Sequence, residues 1–351
     1  MRAGLLGVGA WLVCACTGAA PISASLPDPL SGVAVEGRHA QTVDGAVFGF
    51  PGARLSVDAP GPVTLDVEAL GERVALDVRV DSGPWERVDL ARGDHTLTLG
   101  PERAHRLTVV RRNEDWQGPL RVRSIVSEAG PLSEPELPER KLLFIGDSIT
   151  AGAGTDVAYE DAGLGKPLNN GRLAFARVLG DRLGAQVHQL AYGGRGIIRD
   201  WRGYPTGREG VLNLPALYEL AVPSLDAQWD PQSFVPDAVV MALGTNDFNT
   251  GVPDQGYFVD SYAAFIETVR ADYPDVPVLI LNSPMTGGDK GETLMRYLDR
   301  VAARAGEGVH RFDTQRYEGR ESVVGHPTDA QHESIADEVE PVLRAILDAP
   351  G

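Results

Sequence analysis

The amino-acid sequence predicts an α/β protein in which a doubly wound parallel sheet is preceded by a small antiparallel β-sandwich. Three observations lead to this fold class. Residues 36–127 contain short runs of alternating apolar and polar residues, residues 128–140 contain three prolines, and residues 141–348 alternate apolar strands with helical segments. Alternation with a period of two is typical of antiparallel strands, whereas strands separated by helices are typical of a parallel sheet.

The first twenty residues predict export from a bacterial cell. Arg2, the apolar segment 5–13 and the small residues that follow have the pattern of a signal peptide. Cys14 and Cys16, the two cysteines of the chain, lie here, in a segment that resembles a bacterial lipoprotein box with Cys16 as the lipidated residue. The alternative is ordinary cleavage near Ala20 or Ala24. We therefore expect a secreted protein or a cell-surface or outer-membrane lipoprotein, with no disulfide in the folded part.

The sandwich is predicted over residues 36–127, where glycine and proline separate the alternating runs. The alternating apolar residues are Val63, Leu65, Val67, Val74, Leu76, Val78, Val80, Leu97, Leu99, Leu107 and Val109. Pro131, Pro135 and Pro138 then stand among acidic residues, which predicts a stiff, exposed linker over residues 128–140. Residues 141–348 follow, with helical segments expected at 173–183, 262–269 and 294–305.

A serine follows the first strand of the α/β part. Residues 142–145 form an apolar run that ends at Gly146-Asp147-Ser148. A short apolar run that stops at a sharp turn indicates a buried parallel strand, so Ser148 is placed at the carboxyl edge of the sheet. Ligands bind at this edge in open α/β sheets. The position therefore predicts a nucleophilic serine.

Two later strands end in residues that suit the same chemistry. Residues 187–192 run into a glycine-rich turn that includes Gly194, and residues 238–243 run into a turn that includes Asn246. A serine that attacks an ester needs hydrogen-bond donors already in place for the negative oxygen that develops. We expect these donors to be the backbone N–H groups of Ser148 and Gly194 and the side-chain amide of Asn246.

These three residues, in this order and each at a strand end, make residues 141–347 resemble the SGNH, or GDSL, hydrolases. The blocks of that family are a GDS serine, a glycine, a G-x-N-D asparagine and a histidine in a late D-x-x-H-P segment. The match is specific at Ser148 and Asn246 and looser at Gly194. The resemblance implies a serine hydrolase of the doubly wound α/β fold, with a histidine as general base.

The last block offers two histidines. Asp329 and His332 have the D-x-x-H spacing, but Thr328 and Gln331 predict a capping box that begins a helix, and Asp329 in the first turn suits the helix dipole. His332 then falls on an apolar helix face, where a histidine is more often a packed core residue. The other residues of that face are Ala336, Val339, Leu343 and Ile346.

His326 lies in the loop before this helix and is followed by proline, as in the family block. We therefore predict that His326 is the general base and keep the Asp329–His332 pair as the alternative. Val323 stands three residues before His326, where the family usually has an aspartate. This predicts a Ser148–His326 dyad in which another group, such as a backbone carbonyl, orients the imidazole, although an acid from elsewhere in the sequence is the alternative.

The sandwich, the linker and the Ile-Gly-Asp-Ser-Ile-Thr strand end together make the whole chain resemble carbohydrate esterase family two, the acetyl-polysaccharide esterases with a jelly-roll-like N-terminal domain. Members commonly function without the aspartate, in agreement with Val323. The resemblance implies removal of O-acetyl groups from acetylated xylan- or mannan-type polysaccharides or oligosaccharides, without a metal or other cofactor. The formal net charge of −17 argues against nucleic acid as a partner, and a lipid anchor on Cys16 would be the one link to a membrane.

Aromatic residues are the candidates for contact with sugar rings. Trp201, Tyr204 and Trp229 lie in residues 195–236, a glycine- and proline-rich segment that either shapes a cleft or covers the core. Trp85 and Trp116 of the sandwich are equally compatible with packing. Two other functions stay open: a lipase or thioesterase of the same superfamily, and a glycan-binding surface protein whose hydrolase site is vestigial.

Overall fold

The computed structural model describes residues 28–155, 169–317 and 325–349. The predictions about Cys14 and Cys16 and about Val323 concern residues outside these ranges. Within them, the chain forms an antiparallel sandwich followed by a parallel sheet with helices on both faces. The predicted fold class is therefore confirmed.

The sandwich consists of two antiparallel sheets, each with five strands among the described residues. In spatial order, one sheet contains β1 (Ala34–Glu36), β4 (Arg54–Ala59), β9 (His105–Arg111), β6 (Val74–Val80) and β7 (Glu86–Leu90). The other contains β2 (Ala40–Thr42), β3 (Gly45–Phe48), β10 (Leu120–Val126), β5 (Val63–Ala69) and β8 (Gly93–Leu99). Along β5 every second residue is buried, and these residues join those of the facing sheet in one apolar core.

Strand β6 departs from this alternation. Ala75 and Asp77, on the face opposite the core, are as buried as Val74 and Leu76. The reason is a contact with the second part of the chain: the Asp77 carboxylate accepts hydrogen bonds from Arg172 Nε at 2.5 Å and Asn170 Nδ2 at 3.0 Å. The outer face of this sheet is thus an interface with the α/β part.

The second part is built on one parallel sheet. Its strands, in spatial order, are β12 (Ala185–Ala191), β11 (Arg140–Gly146), β15 (Ala238–Ala242), β16 (Val278–Leu281) and β17 (Val309–Phe312). The helices are α1 (Phe175–Leu183), α2 (Leu214–Leu217), α3 (Thr245–Asn249), α4 (Gln255–Asp272), α5 (Gly288–Ala305) and α6 (Asp329–Leu347). Residues 220–222 and 227–228 form a separate two-stranded antiparallel pair, β13 and β14.

Successive residues of β11 point into different cores, which is why the whole run is apolar. Leu143 and Ile145 pack with α4 and α5 on one face, whereas Leu142 and Phe144 pack with α1 and α6 on the other. The sheet is therefore buried on both faces. The three helical segments expected from the sequence correspond to α1, α4 and α5, and the last two begin six or more residues earlier than predicted.

Strand β11 lies at the point where the order of the strands reverses. The chain continues from β11 to β12 on one side and later places β15 on the other side. Gly146, the last residue of β11, pairs in register with Ala191 of β12 and Ala242 of β15. The three strands therefore end at one level, in the crevice where doubly wound sheets bind ligands.

Most residues of the segment between the two parts are exposed, and the segment also pairs with the sandwich. Ser133 forms an isolated bridge to Asp58 of β4, with N–H···O distances of 2.9 and 3.0 Å in the two directions. Leu132 packs against the sandwich core, and Pro135 is buried. The prolines favour an extended backbone, and this extended segment pairs with β4 at Ser133 while most of its residues stay exposed.

Candidate active site

The three strand ends open into one cavity of about 760 Å³. Its lining includes Ser148, Gly194, Asn246 and His326, which come from four separate parts of the sequence. The structure therefore brings together the serine, the glycine, the asparagine and the loop histidine that the sequence singled out.

Ser148 is half-buried in the turn that follows β11. Its Oγ lies 2.7 Å from Nε2 of His326, a hydrogen-bond distance. The preceding Asp147 is fully buried, and its carboxylate accepts a hydrogen bond from the backbone N–H of Ile149 at 2.9 Å. The aspartate thus fixes the turn that presents the serine to the cavity.

His326 lies at a bend immediately before α6. The helix begins with the predicted capping box: Thr328 Oγ1 accepts from the Gln331 N–H at 3.3 Å, and Gln331 Oε1 accepts from the Thr328 N–H at 3.0 Å. Asp329 accepts a hydrogen bond from the next backbone N–H, that of Ala330, at 2.8 Å. Asp329 therefore stabilises the first turn of α6.

His332 is fully buried on the inner face of α6. Its Nδ1 accepts a hydrogen bond from the backbone N–H of Phe175 at 3.2 Å, and its ring is stacked on the Phe175 ring with an interplanar angle of 6°. Burial lowers the pKa of His332 to about 3, with a smaller effect from His326. An imidazole that stays neutral and packs against a core ring is suited to structure rather than to proton transfer near neutral pH.

The loop that carries Gly194 is held by neighbouring groups. Gly194 has a φ of +76°, and a Cβ at this position would lie 2.7 Å from the Trp201 ring. Its carbonyl accepts the N–H of Trp201 at 2.8 Å. Farther along, the buried Asp247 carboxylate accepts the N–H groups of Ile197 at 3.0 Å and Ile198 at 2.8 Å. Only glycine fits both the backbone conformation and the close ring.

Asn246 is presented by the short helix α3. Its Nδ2 lies 2.9 Å from the carbonyl oxygen of Arg195 and 3.3 Å from Oδ2 of Asp147. The first contact is a normal hydrogen bond, whereas the second is long for an N–H···O bond. The amide is therefore anchored through one hydrogen and only weakly bound through the other.

Three buried carboxyl groups surround these residues. Burial raises the pKa of Asp147 and of Asp247 to about 6, although backbone hydrogen bonds act in the opposite direction. Burial also raises the pKa of Glu114 to about 7. Sequence reasoning gave Asp147 and Asp247 no role, although their positions next to Ser148 and Asn246 are a signal that could have found them. Glu114 comes from the sandwich, and no sequence signal indicated that it lines this cavity.

Two exposed tryptophans form part of the cavity wall. Trp201 and Trp116 are each 54% exposed. Trp201 belongs to the segment in which the sequence suggested aromatic contacts, whereas Trp116 belongs to the sandwich. Trp229 has a different role, because it packs beside His188 and Arg38. The sequence had left Trp116 open between contact with sugars and packing.

Residues 28–155, 169–317 and 325–349 contain no group of three or more histidine, cysteine, aspartate or glutamate side chains that could hold a metal ion. None of the helices within them combines the length and the apolar character needed to cross a bilayer.

Among solved structures and curated sequences, this chain is similar to several carbohydrate esterases. The structure of a family two carbohydrate esterase from Cellvibrio japonicus has a TM-score of 0.84 and 29% identity, covering 92% of this chain and 96% of that one. A family two carbohydrate esterase from Clostridium thermocellum, solved in complex with cellohexaose, shares the fold at a TM-score of 0.81 and 24% identity, covering 90% and 99%. An acetylxylan esterase / glucomannan deacetylase from Cellvibrio japonicus is 29% identical over 358 residues, covering 98% of both chains.

The sequence model of the GDSL-like lipase/acylhydrolase family matches residues 144–337, which are 194 of the 351 residues. The matched region begins in β11, just before Ser148, and ends within α6, just after His326. It therefore contains all four residues that meet in the cavity. The resemblance inferred from the sequence is confirmed: the chain belongs to the GDSL-like lipase/acylhydrolase family.

Proposed function

We propose that this protein is a serine esterase that removes O-acetyl groups from cell-wall polysaccharides of the xylan or mannan type. The observation that carries this proposal is the 2.7 Å approach of Ser148 Oγ to His326 Nε2 in the cavity that Gly194 and Asn246 also line. A nucleophile within hydrogen-bond distance of its base, beside donors for an oxyanion, is the arrangement that acyl transfer requires.

In the first half of the reaction, Ser148 Oγ attacks the acetyl carbonyl carbon while His326 Nε2 accepts the hydroxyl proton. A bond forms between Oγ and carbon, and the carbonyl electron pair moves onto oxygen. When the tetrahedral intermediate collapses, the carbon–oxygen bond to the sugar breaks. The sugar oxygen takes the proton from His326, which leaves an acetyl group on Ser148 and a free sugar hydroxyl.

In the second half, water attacks the acetyl carbon and gives a proton to His326. Collapse of this intermediate breaks the bond to Oγ, returns the proton to Ser148 and releases acetate. In both halves the oxyanion is stabilised by the N–H groups of Ser148 and Gly194 and by the Asn246 amide. We assign this role to the Asn246 hydrogen directed toward Asp147, because its 3.3 Å contact is the weaker of the two.

The shape of the site supports a glycan as substrate. Trp116 and Trp201 expose ring surface on which sugar rings can stack. A second cavity of about 540 Å³ shares Trp116, Tyr192 and Arg195 with the first, so one groove continues between the sandwich and the α/β part. A chain of sugars needs such an open groove. The relatives named acetylxylan esterase / glucomannan deacetylase are consistent with this substrate class.

Acetate release from acetylated xylan, glucomannan and pectin tests this function directly. The wild-type protein should release acetate from xylan or glucomannan, and Ser148→Ala should abolish the release without loss of fold. A serine-directed phosphonylating reagent should label Ser148 alone. Labelling at another residue, or full activity of Ser148→Ala, would contradict the assigned nucleophile.

The acyl group provides a second test. Aryl acetate should be cleaved much faster than the matching aryl octanoate. Faster cleavage of the octanoate would favour a lipase or thioesterase. Binding of xylan by a wild-type protein that releases no acetate would favour a glycan-binding protein with a vestigial site.

We also propose that the protein acts outside the cytoplasm, as a secreted protein or as a lipoprotein of the cell surface or outer membrane. The support is the signal-peptide pattern and the lipobox-like sequence that ends in Cys16. A polysaccharide of the cell wall is an extracellular substrate, and export would bring the enzyme to it. Cys16 would then carry the lipid anchor.

A further inference from the structure

We propose that Glu114, which belongs to the sandwich, is a positioning residue for the oxyanion loop, defined here as residues 193–194. This inference rests on the proposed esterase function, because it concerns one of the donors that the reaction uses. Glu114 lies just before a short 3-10 helix, Asp115–Gln117, which follows strand β9 of the sandwich. Its side chain extends across the interface and lines the cavity that contains Ser148.

The Glu114 carboxylate contacts groups from three segments. Oε2 accepts the backbone N–H of Gly193, and Oε1 accepts Nδ2 of Asn169 at 2.5 Å. The Trp116 side chain, whose indole N–H is a donor, also lowers the pKa of this carboxyl. All three neighbours are donors, so the ionised carboxylate, which only accepts hydrogen bonds, suits the position best. With its pKa raised to about 7, Glu114 is mainly in this form above pH 7. An ionised carboxylate offers about four lone-pair sites, whereas a glutamine amide offers two and adds an N–H₂ donor.

The backbone of Glu114 is itself fixed. Its N–H donates to Gln117 Oε1 at 3.0 Å, and its carbonyl accepts from the guanidinium of Arg111 at 3.0 Å. Arg111 is almost fully buried and also donates to the carbonyls of Gly49 and Gly118. The carboxylate is therefore held by the folded sandwich and does not follow movements of the loop that it contacts.

The consequence for the oxyanion loop follows from its backbone. The peptide before Gly193 is held through its N–H by Glu114, and the peptide after Gly194 is held through its carbonyl by Trp201 at 2.8 Å. The peptide between them carries the Gly194 N–H, the proposed oxyanion donor. Two consecutive glycines have the widest choice of backbone conformations. Anchoring both flanking peptides keeps that N–H in one orientation, and catalysis by an oxyanion donor depends on such preorganisation.

The experiment compares Glu114→Gln with Asp115→Asn as a matched control. Asp115 is the next residue, is equally buried and accepts hydrogen bonds from the N–H and hydroxyl of Ser224, at 2.9 and 3.0 Å, away from the loop. With an aryl acetate, Glu114→Gln should lower kcat roughly 10- to 100-fold with KM within about twofold, since a misplaced oxyanion donor mainly affects the transition state. Asp115→Asn should keep kcat within about twofold.

Hydrogen exchange provides a readout that does not depend on turnover. Amide exchange in residues 192–196 should rise about tenfold or more in Glu114→Gln and stay unchanged in Asp115→Asn. If Glu114→Gln does not fold, Asn169→Ala removes one neighbour of the carboxylate and should show smaller changes in the same direction. A folded Glu114→Gln with wild-type kcat and wild-type exchange would overturn the proposal, and so would equal losses of kcat in both variants.

These results separate the proposal from the proposed function. If wild type releases no acetate, or if Ser148→Ala keeps its activity, the esterase mechanism fails whatever Glu114 does. Increased exchange at residues 192–196 in Glu114→Gln would still show that the carboxylate holds the loop. Unchanged exchange together with normal Ser148-dependent activity would remove the role of Glu114 and leave the esterase mechanism intact.

Discussion

The replacement His332→Gln should make the fold less sensitive to acid while leaving turnover nearly unchanged. His332 is fully buried, and its pKa is lowered from 6.5 to about 3, chiefly by burial. A lowered pKa in the folded state means that between pH 6.5 and 3 the unfolded chain binds more protons. The free energy of unfolding of wild type therefore contains a term that is fully present above pH 6.5 and is lost as the pH falls.

The magnitude follows from the difference between the two pKa values. Each pH unit inside this window removes about 1.4 kcal/mol, so this histidine lowers the free energy of unfolding by about 2 kcal/mol between pH 8 and pH 5. Glutamine does not titrate, and its Oε1 can still accept the Phe175 N–H. The variant loses the stacked ring, which we expect to lower stability at pH 8 by about 1–2 kcal/mol.

Urea unfolding at pH 8 and pH 5 measures this effect, and hydrolysis of an aryl acetate measures turnover. The stability difference between wild type and His332→Gln should change by about 2 kcal/mol in favour of the variant when the pH is lowered. His326→Ala is the matched control: it should lose nearly all turnover and keep almost wild-type stability. If folded His332→Gln loses turnover a thousandfold and His326→Ala does not, the base is His332 and the reasoning fails.

Three further predictions concern other parts of the molecule. Asn246→Ala should lower kcat on an aryl acetate by roughly 10²- to 10³-fold, the usual effect of deleting one oxyanion donor, with KM little changed. Arg177→Met should lower the free energy of unfolding in urea by about 3 kcal/mol, because it removes the fully buried partner of Glu36 and leaves only Arg54, at 3.5 Å. The double variant with Glu36→Gln should recover part of this loss. Cys16→Ser should abolish membrane association in the native host; an unchanged membrane fraction, or a mature terminus near Ala20, would indicate ordinary secretion.

The parts of the site that could be predicted from the sequence are those that local patterns determine. An apolar run followed by a turn locates the carboxyl end of a parallel strand, and parallel strands of similar length end at one edge of the sheet. Ser148, Gly194 and Asn246 were therefore expected together before their distances were known. Helix α6 begins after the capping box of Thr328 and Gln331, as predicted. His326 therefore lies in the preceding loop, and His332 lies on the buried face of the helix.

Glu114 and Trp116 could not be found in this way. They lie more than thirty residues before Ser148 in sequence, in a segment whose pattern indicates only the edge of a sandwich. Their place in the cavity depends on how the two parts pack, and the polar groups that meet at that interface, such as Asp77 and Asn170, follow no sequence period. The buried outer face of β6 was missed for the same reason: Asp77 looks like a solvent-facing residue of an alternating strand until Asn170 and Arg172 cover it.

The interface between the sandwich and the α/β part contains buried charges that have partners on both sides. The buried Glu36 carboxylate accepts hydrogen bonds from Arg177 of α1 at 2.8 Å and from the Val187 N–H of β12 at 3.1 Å. Burial alone would raise the pKa of Glu36, but Arg177 and Arg54 more than offset this and the pKa lies below its ordinary value. Asp77 likewise relies on partners from the α/β part.

Separating the two parts would remove Arg177 from Glu36 and both Arg172 and Asn170 from Asp77. Each carboxylate would then keep one cation of the sandwich, Arg54 beside Glu36 and Arg112 beside Asp77. Breaking one buried pair by removing a partner is strongly destabilising, by several kcal/mol, because the remaining charge is not solvated. The sandwich and the parallel sheet should therefore unfold together. Glu114 also lies at this interface, and its carboxylate accepts the Gly193 N–H of the oxyanion loop. A substitution that loosens the interface should thus reduce kcat as well as stability, and the sandwich takes part in catalysis through the loop that it holds.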